Sequence, residues 1–494
     1  MLSTQPAKPL ADAPKVSSQK HDTMQYYRHS NGLTLISLLL LMTRTASADV
    51  RLPAIISDHM VLQQDVIVPI WGWADPGEEV SVVIGGQRKS ARADAAGKWK
   101  VELDKLKPGA ALTLTVTGKN KVAVNDVLVG EVWLGSGQSN MARTTKSAKD
   151  FAKEQAAANL PNLRMFKVES GAATNAQSDC RGSWKVCSPE TVGGYSAVLF
   201  FFGRELHQNL GLPMGLIHSS VGGTTIEQWT DLETQRAAPE LTPIFAALAA
   251  KTNAPAKAPN ARIPIGGLFN GKIAPLIPYA LRGIVWYQGE GNTKSVEQAR
   301  LYEHQLPLLI TDWRKRWGQD MPFAWVQLPN WAKNGEAWCI VQEGMLKTLK
   351  LPKTGMAITV DIGDANDVHP QNKEEVGRRL SLWALGSVYG KQVATSGPLP
   401  GGHEIKGSEV VVKFQHTNGG LVAKAGALKG FNLAGEDRQW HPATARITGS
   451  QVFVSCAAVK RPVALRYAWQ DNPDCNLFNG AGLPASPFRT DDWK

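Results

Sequence analysis

Val127-Leu-Val-Gly-Glu-Val-Trp-Leu-Gly135 runs straight into Ser136-Gly-Gln-Ser-Asn-Met141, and this junction decides the fold. The first stretch, apolar apart from Glu131, reads as a strand covered on both faces, as in a parallel sheet. The glycine-bearing segment after it allows a sharp turn into a helix, with Ser139 at the helix start and at the carboxyl edge of the sheet. Comparable runs stand at Pro213-Met-Gly-Leu-Ile-His218, Gly283-Ile-Val-Trp-Tyr287, Phe323-Ala-Trp-Val-Gln-Leu328 and Met356-Ala-Ile-Thr-Val-Asp361. Helical patterns lie between them over Ser196–Leu210, Gln298–Trp317 and Asn372–Leu385. Strands alternating with helices predict an α/β domain with a parallel sheet over residues 127–390, its ligands bound beyond the strand ends.

On either side the texture is different. Residues 49–126 carry short alternating strands at Val66-Ile-Val-Pro-Ile-Trp-Gly-Trp73, Val80-Ser-Val-Val-Ile84, Trp99-Lys-Val-Glu-Leu103 and Leu112-Thr-Leu-Thr-Val-Thr117. Turn signals such as Asp75-Pro76-Gly77 separate them, which predicts a small β-sandwich. Residues 391–494 return to strands, notably Glu409-Val-Val-Val-Lys-Phe414 and Gln451-Val-Phe-Val-Ser455, and predict a second β-rich domain. Residues 1–48 read as an N-terminal extension and signal peptide. The apolar core, residues 33–42, is shorter than the roughly 20 residues that span a bilayer. Arg28 and His29 precede it, and Ala46-Ser47-Ala48 follows as a small-x-small cleavage site. The expectation is a periplasmic or secreted chain beginning near Asp49, with no stable membrane insertion after cleavage.

Composition removes several classes. At 494 residues, 43% hydrophobic and 20% charged, with 46 Gly and 5 Cys, the chain is neither disordered, collagenous nor a disulfide scaffold. The net charge is +11, of which Lys8, Lys15, Lys20, Arg28 and Arg44 against Asp12 and Asp22 supply +3. The rest is scattered without a run of like charges, so no nucleic-acid partner is expected. Export permits disulfides, with Cys180–Cys187 and Cys456–Cys475 as candidate pairs. No Cys-x-x-Cys occurs, and the ten His show no metal-ligand spacing, so neither metal nor cofactor is expected.

Four loops that follow buried strands carry the chemistry. Ser139 offers a hydroxyl where backbone N–H groups can receive an oxyanion. In His218-Ser-Ser-Val-Gly-Gly-Thr-Thr-Ile-Glu-Gln-Trp229, Gly222 and Gly223 let backbone approach a ligand and could present an N–H to it. In Val285-Trp-Tyr-Gln-Gly-Glu-Gly-Asn292, Gln288 and Asn292 are amide donors suited to an oxyanion hole, while Glu290 is suited to organising the loop. In Asp361-Ile-Gly-Asp-Ala-Asn-Asp-Val-His-Pro370, His369 lies at the same sheet edge as Ser139. Asp367 is placed to orient its imidazole, with Asp361 and Asp364 as rivals. Together these supply nucleophile, base, acid and oxyanion donors for acyl transfer.

These residues resemble the sialate O-acetylesterase-like branch of the SGNH (GDSL-type) hydrolases. The resemblance runs from Leu52 to the C-terminus and is carried by Gly137-Gln-Ser-Asn-Met141, Gly222-Gly-Thr with Trp229, Trp286-Tyr-Gln-Gly-Glu290, Asp361-Ile-Gly-Asp with His369-Pro370, and Arg466-Tyr-Ala-Trp469. It implies a three-layer, flavodoxin-like SGNH core, Ser139 as nucleophile, His369 as general base, and the Gly222/Gly223 and Gln288–Asn292 segments as oxyanion loops. Three positions depart from the family pattern: Asn366 stands where the usual Asp precedes the His, Gln138 where GDSL enzymes carry Asp, and Gly291 where many relatives have Ser.

The function expected is therefore an exported serine esterase that takes O-acetyl groups off carbohydrate through an acetyl-serine intermediate. Its substrate would be an acetylated oligosaccharide or polysaccharide, with plant xyloglucan or xylan favoured and O-acetyl sialic acid as the alternative. Two other classes remain in view. A non-catalytic carbohydrate-binding protein would use its 16 Trp as sugar platforms. A lipid esterase would prefer long acyl chains, but no apolar lid segment is evident.

Overall fold

The computed structural model describes residues 49–250 and 263–493, without the side chains of 247–250; the predicted signal peptide within 1–48 lies outside the described residues. The quoted stretch is the end of a 17-residue strand, Lys121–Gly137, that serves two domains. Its first part pairs with Leu112–Thr117 of the N-terminal domain, and Leu128–Gly130 pairs with Val61–Gln63. Its second part pairs in parallel with Met214–Ser220 and Gly283–Tyr287. The predicted 126/127 boundary thus falls inside one continuous strand rather than in a linker.

The catalytic sheet runs in the order Thr354–Ala357, Phe323–Val326, Gly283–Tyr287, Lys121–Gly137, Met214–Ser220, Leu160–Val168, all parallel, with Gly182–Cys187 antiparallel at the edge. The last two strands do not read as strands in sequence because Pro161, Arg164, Lys167 and Lys185 interrupt their apolar character. Alternation along the inner strands sorts their side chains into two cores. Trp133, Leu216, Val285 and Ala324 pack with helices Ala197–Leu210 and Lys373–Ser387. Leu134, Ile217, Ile284 and Trp325 pack with helices Val296–Trp317 and Gly335–Thr348 on the other face. The result is a three-layer α/β core. Two helices begin at caps visible in sequence: Ser196 accepts from Leu199 N–H, and Asn372 from Glu375 N–H.

Tryptophan is core here. None of the 16 is exposed, and Trp229, Trp286 and Trp313 form a buried row of edge-to-face contacts with 5.9 Å between successive ring centres. Eleven of the 16 are buried, and Trp73, Trp317, Trp331, Trp440 and Trp493 are half-buried, so no tryptophan stands fully exposed as a sugar platform.

At the amino end of the sheet, Glu131 is fully buried and gathers four elements. Its carboxylate accepts from Arg282 Nε at 2.6 Å and Nη2 at 2.9 Å, from Gln64 Nε2 at 2.6 Å and from Tyr389 O–H at 2.9 Å. The one charge in the apolar run is therefore a knot between the N-terminal domain, the central strand, the segment before Gly283 and the end of helix Lys373–Ser387.

The C-terminal domain packs two four-stranded antiparallel sheets around its own core. It is pinned to the catalytic domain by Arg489, which holds Glu343 through two bonds of 3.0 Å, and by Asp471, which accepts from the backbone N–H of Asn334 and Gly335. Arg466 of the Arg-Tyr-Ala-Trp segment is structural: it pairs with buried Asp491 at 2.7 Å and stacks over Trp440.

All five cysteines stand as free thiols, which corrects both candidate disulfides. Cys187 ends the extended strand Gly182–Cys187, so that strand holds it away from Cys180 instead of closing a loop. Burial pushes the thiols of Cys180, Cys187 and Cys339 up to about 12.

Candidate active site

Gly137 turns the central strand into the nucleophile helix. Its φ is +134°, and a Cβ there would lie 2.1 Å from the Tyr287 carbonyl oxygen, so only glycine allows the chain to turn at that point. Ser139 then begins the short helix Ser139–Ala142, whose first-turn N–H groups have no partner within the helix. Its hydroxyl lies 2.8 Å from His369 Nε2, so Oγ–H can donate to the imidazole. Residues 230 apart in sequence meet because both sit beyond carboxyl ends of parallel strands.

The three acidic candidates around His369 separate cleanly. Asp361 is committed to Arg379, with its oxygens 2.6 and 2.8 Å from the guanidinium. Asp364 shapes the loop by accepting from the backbone N–H of Asn366 at 2.8 Å and Asp367 at 3.3 Å. Asp367 alone of the three faces the imidazole. Its Oδ1 accepts from His369 N–H at 2.8 Å and stands 3.5 Å from Nδ1. Arg143 Nη2 approaches the same Nδ1 at 3.2 Å. Burial, and then the Arg143 charge, push His369 below its ordinary value of 6.5, while Asp367 opposes the shift. Taking the serine proton at Nε2 requires the tautomer with Nδ1–H; a guanidinium only donates, so in that tautomer Nδ1–H turns to Asp367 and the Arg143 approach is not a hydrogen bond.

The oxyanion side is built differently from the sequence expectation. Gly222 lies against the nucleophile: a Cβ on it would be 3.3 Å from Ser139 Cβ. Gly223, with φ +70°, completes the turn beside it. The two amides do not reach the reacting side. Gln288 is fully buried, and its Nε2 points at Asn292 Oδ1, Thr224 O and Gln138 Oε1, three acceptors for two hydrogens. Asn292 Nδ2 is spent on both oxygens of Glu227, each at 3.2 Å. These amides lock three loops together below the site and are not aimed at the serine. Gln138, where the family pattern has Asp, belongs to that lock and also accepts from Gly291 N–H at 3.0 Å.

Two buried residues of the site escape the motif reading. Asn140 follows the nucleophile directly, and Lys373 follows His369 by four positions. A sequence signal existed for the lysine, because it opens a helix where the macrodipole disfavours a cation. Beside His369 opens a 320 Å³ cavity whose wall includes Arg143, Lys146, Ser147, Gln371 and Lys373, with Ala148 and Pro370 as its apolar members. No cluster of three or more His, Cys, Asp or Glu suited to a metal occurs among the described residues. No helix among them is long and apolar enough to cross a membrane.

A serine hydroxyl 2.8 Å from a half-buried imidazole at the carboxyl edge of a parallel sheet is the arrangement of a carboxylic ester hydrolase. The chain belongs to the carbohydrate esterase family described as sialic acid-specific acetylesterase, whose model matches residues 129–384. It is 31% identical to the sialate O-acetylesterase of Homo sapiens over 92% of this chain and 95% of that protein. Against the Mus musculus sialate O-acetylesterase the figures are 30%, 92% and 97%. Among solved structures, a carbohydrate acetylesterase from Xanthomonas citri superposes with a TM-score of 0.83 at 38% identity, covering 90% of this chain and all of that one.

Proposed function

We propose that the chain is an exported esterase that removes O-acetyl groups from plant polysaccharide such as xyloglucan or xylan. His369 takes the proton of Ser139 as Oγ attacks the acetyl carbonyl, and the backbone N–H groups of Ser139 and Gly222 bind the oxyanion. The imidazolium returns its proton to the leaving sugar oxygen, and Asp367 stabilises it in the interval. Water, activated by the same imidazole, then releases acetate and regenerates the serine.

The observation that carries this reading is the polar cavity whose wall includes His369 and Asp367, which suits a hydroxyl-rich sugar better than an acyl chain. Arg143, the arginine in its wall, has a guanidinium nitrogen on His369 and so does not present a full fork to a carboxylate. A second reading, O-acetyl sialic acid, draws on the Arg143 and Lys146 charges in the same wall and on the names of the curated relatives. Acetate release from acetylated xylan, acetylated xyloglucan and O-acetyl sialic acid, each measured with the chain and with Ser139→Ala, decides between them. Serine-dependent release from xylan or xyloglucan is the expected result. Release confined to the sialic acid ester would move the substrate to the second reading.

The pH profile has a definite sign. The neutral imidazole is the base, so activity is full above the His369 pKa and is lost as pH falls through it. Because that pKa is pushed down, the acid half-point of kcat/KM is expected below 6.5. A half-point above that value would contradict His369 as base in this environment.

A further inference from the structure

We propose that Asn140 is a positioning residue that braces the turn carrying Ser139 to the loop carrying His369, held in its working orientation by Glu290 and Lys373. The inference rests on the reading of Ser139 and His369 as the catalytic pair. Asn140 is fully buried, and both hydrogens of its amide are spoken for. Nδ2 donates to Glu290 Oε1 at 2.6 Å and to the Val368 carbonyl at 2.9 Å, while Oδ1 accepts from the Lys373 ammonium. Asn140 is one residue after the nucleophile and Val368 is one residue before the base. The Asn140–Val368 bond therefore spans the two segments whose separation sets the 2.8 Å contact between Ser139 and His369.

The amide end that faces Val368 is decided by charge. A carboxylate only accepts and an ammonium only donates, so Glu290 selects Nδ2 and Lys373 selects Oδ1. With that orientation fixed, the remaining N–H can go only to the loop carbonyl. Both selectors are buried, and both are anchored in elements of the core. Glu290 sits in the turn Glu290–Asn292 after strand Gly283–Tyr287, and Lys373 opens helix Lys373–Ser387 with its ammonium 5.3 Å from the Tyr287 ring centre. Burial raises the carboxyl of Glu290, and it lowers Lys373 to about 7, where the Glu290 and Asp367 charges favour the ammonium and Arg143 opposes it. Two buried opposite charges that meet through one amide fit an orienting role better than a stabilising one, since such pairs add little net stability.

Steady-state kinetics of the full chain on 4-nitrophenyl acetate, with denaturation midpoints alongside, test this. Asn140→Ala is expected to lower kcat about 100-fold, since a misplacement of about 1 Å costs that much, with KM within about threefold; it also strands buried Glu290 and Lys373, so its midpoint falls and kcat is read where the variant is fully folded. Asn140→Asp keeps the size and the acceptor for Lys373 but turns an oxygen towards Val368, and it is expected to fall with the alanine variant. Glu290→Gln keeps an acceptor for Nδ2 and should hold kcat within about fivefold, whereas Glu290→Leu should reproduce the Asn140→Ala loss. The Asn140→Ala/Glu290→Leu double variant should be no worse than either single change, because both remove the same brace. Wild-type kcat in Asn140→Ala or Asn140→Asp, or a loss confined to KM, would overturn the inference. If Asn140→Ala does not fold, Asn140→Asp beside Glu290→Gln decides alone. Ser139→Ala is the reference: activity retained there would sink the catalytic reading, whereas a dead Ser139→Ala beside a fully active Asn140→Ala would sink only the brace.

Discussion

Ser139→Ala is expected to lower kcat on an acetyl ester at least about 1,000-fold and to abolish covalent labelling by a fluorophosphonate, with the fold intact. The change deletes one oxygen, whose hydrogen bond is to His369 Nε2, and leaves the turn around Gly137 and the amide lock beneath it untouched. His369→Ala should cost a similar factor, because the serine proton then has no acceptor at 2.8 Å. The double variant should be little worse than either single change, as befits groups that act as one unit. Residual activity would report the backbone oxyanion donors and binding alone. A Ser139→Ala variant that keeps more than about a tenth of the wild-type kcat would show that another nucleophile carries the reaction.

The second large effect is on stability and lies at the opposite end of the sheet. Glu131→Ala is expected to lower the unfolding free energy by about 3–5 kcal/mol, the cost of stranding one partner of a buried ion pair. Arg282 loses its carboxylate, and Gln64 Nε2 and the Tyr389 hydroxyl lose their acceptor. Urea unfolding monitored by tryptophan fluorescence measures it as a drop in midpoint at an unchanged slope. A loss below about 1 kcal/mol would mean that water replaces the carboxylate at no cost and that the knot is ornamental.

Apolar run length made the inner sheet legible, and loops beyond those runs made the nucleophile and base legible. Ser139, His369, Asp367 and Gly222 converge where strand-end reasoning puts them, since in a parallel sheet every such loop opens on one edge. Gln288 and Asn292 sit in the right loop but point the wrong way. Sequence places a residue at a strand end, but whether its amide faces a ligand or a neighbouring loop depends on acceptors such as Thr224 O and Glu227 that only the fold brings near. The same limit hid Asn140 and Lys373, whose partners are between 150 and 233 residues away. The edge strand Gly182–Cys187 and its neighbour Leu160–Val168 escaped for a different reason: at a partly wetted side of the sheet a strand needs no unbroken apolar run.

The strand Lys121–Gly137 has a consequence for how the molecule comes apart. A hinge needs a place where few contacts cross, and none exists at residue 127, where the same backbone is laddered to the N-terminal domain on one stretch and to the catalytic sheet on the next. The two domains are therefore one cooperative block. The N-terminal sandwich cannot swing as a module over the active site, and a cut between residues 126 and 127 would sever the rod whose far end is the serine turn.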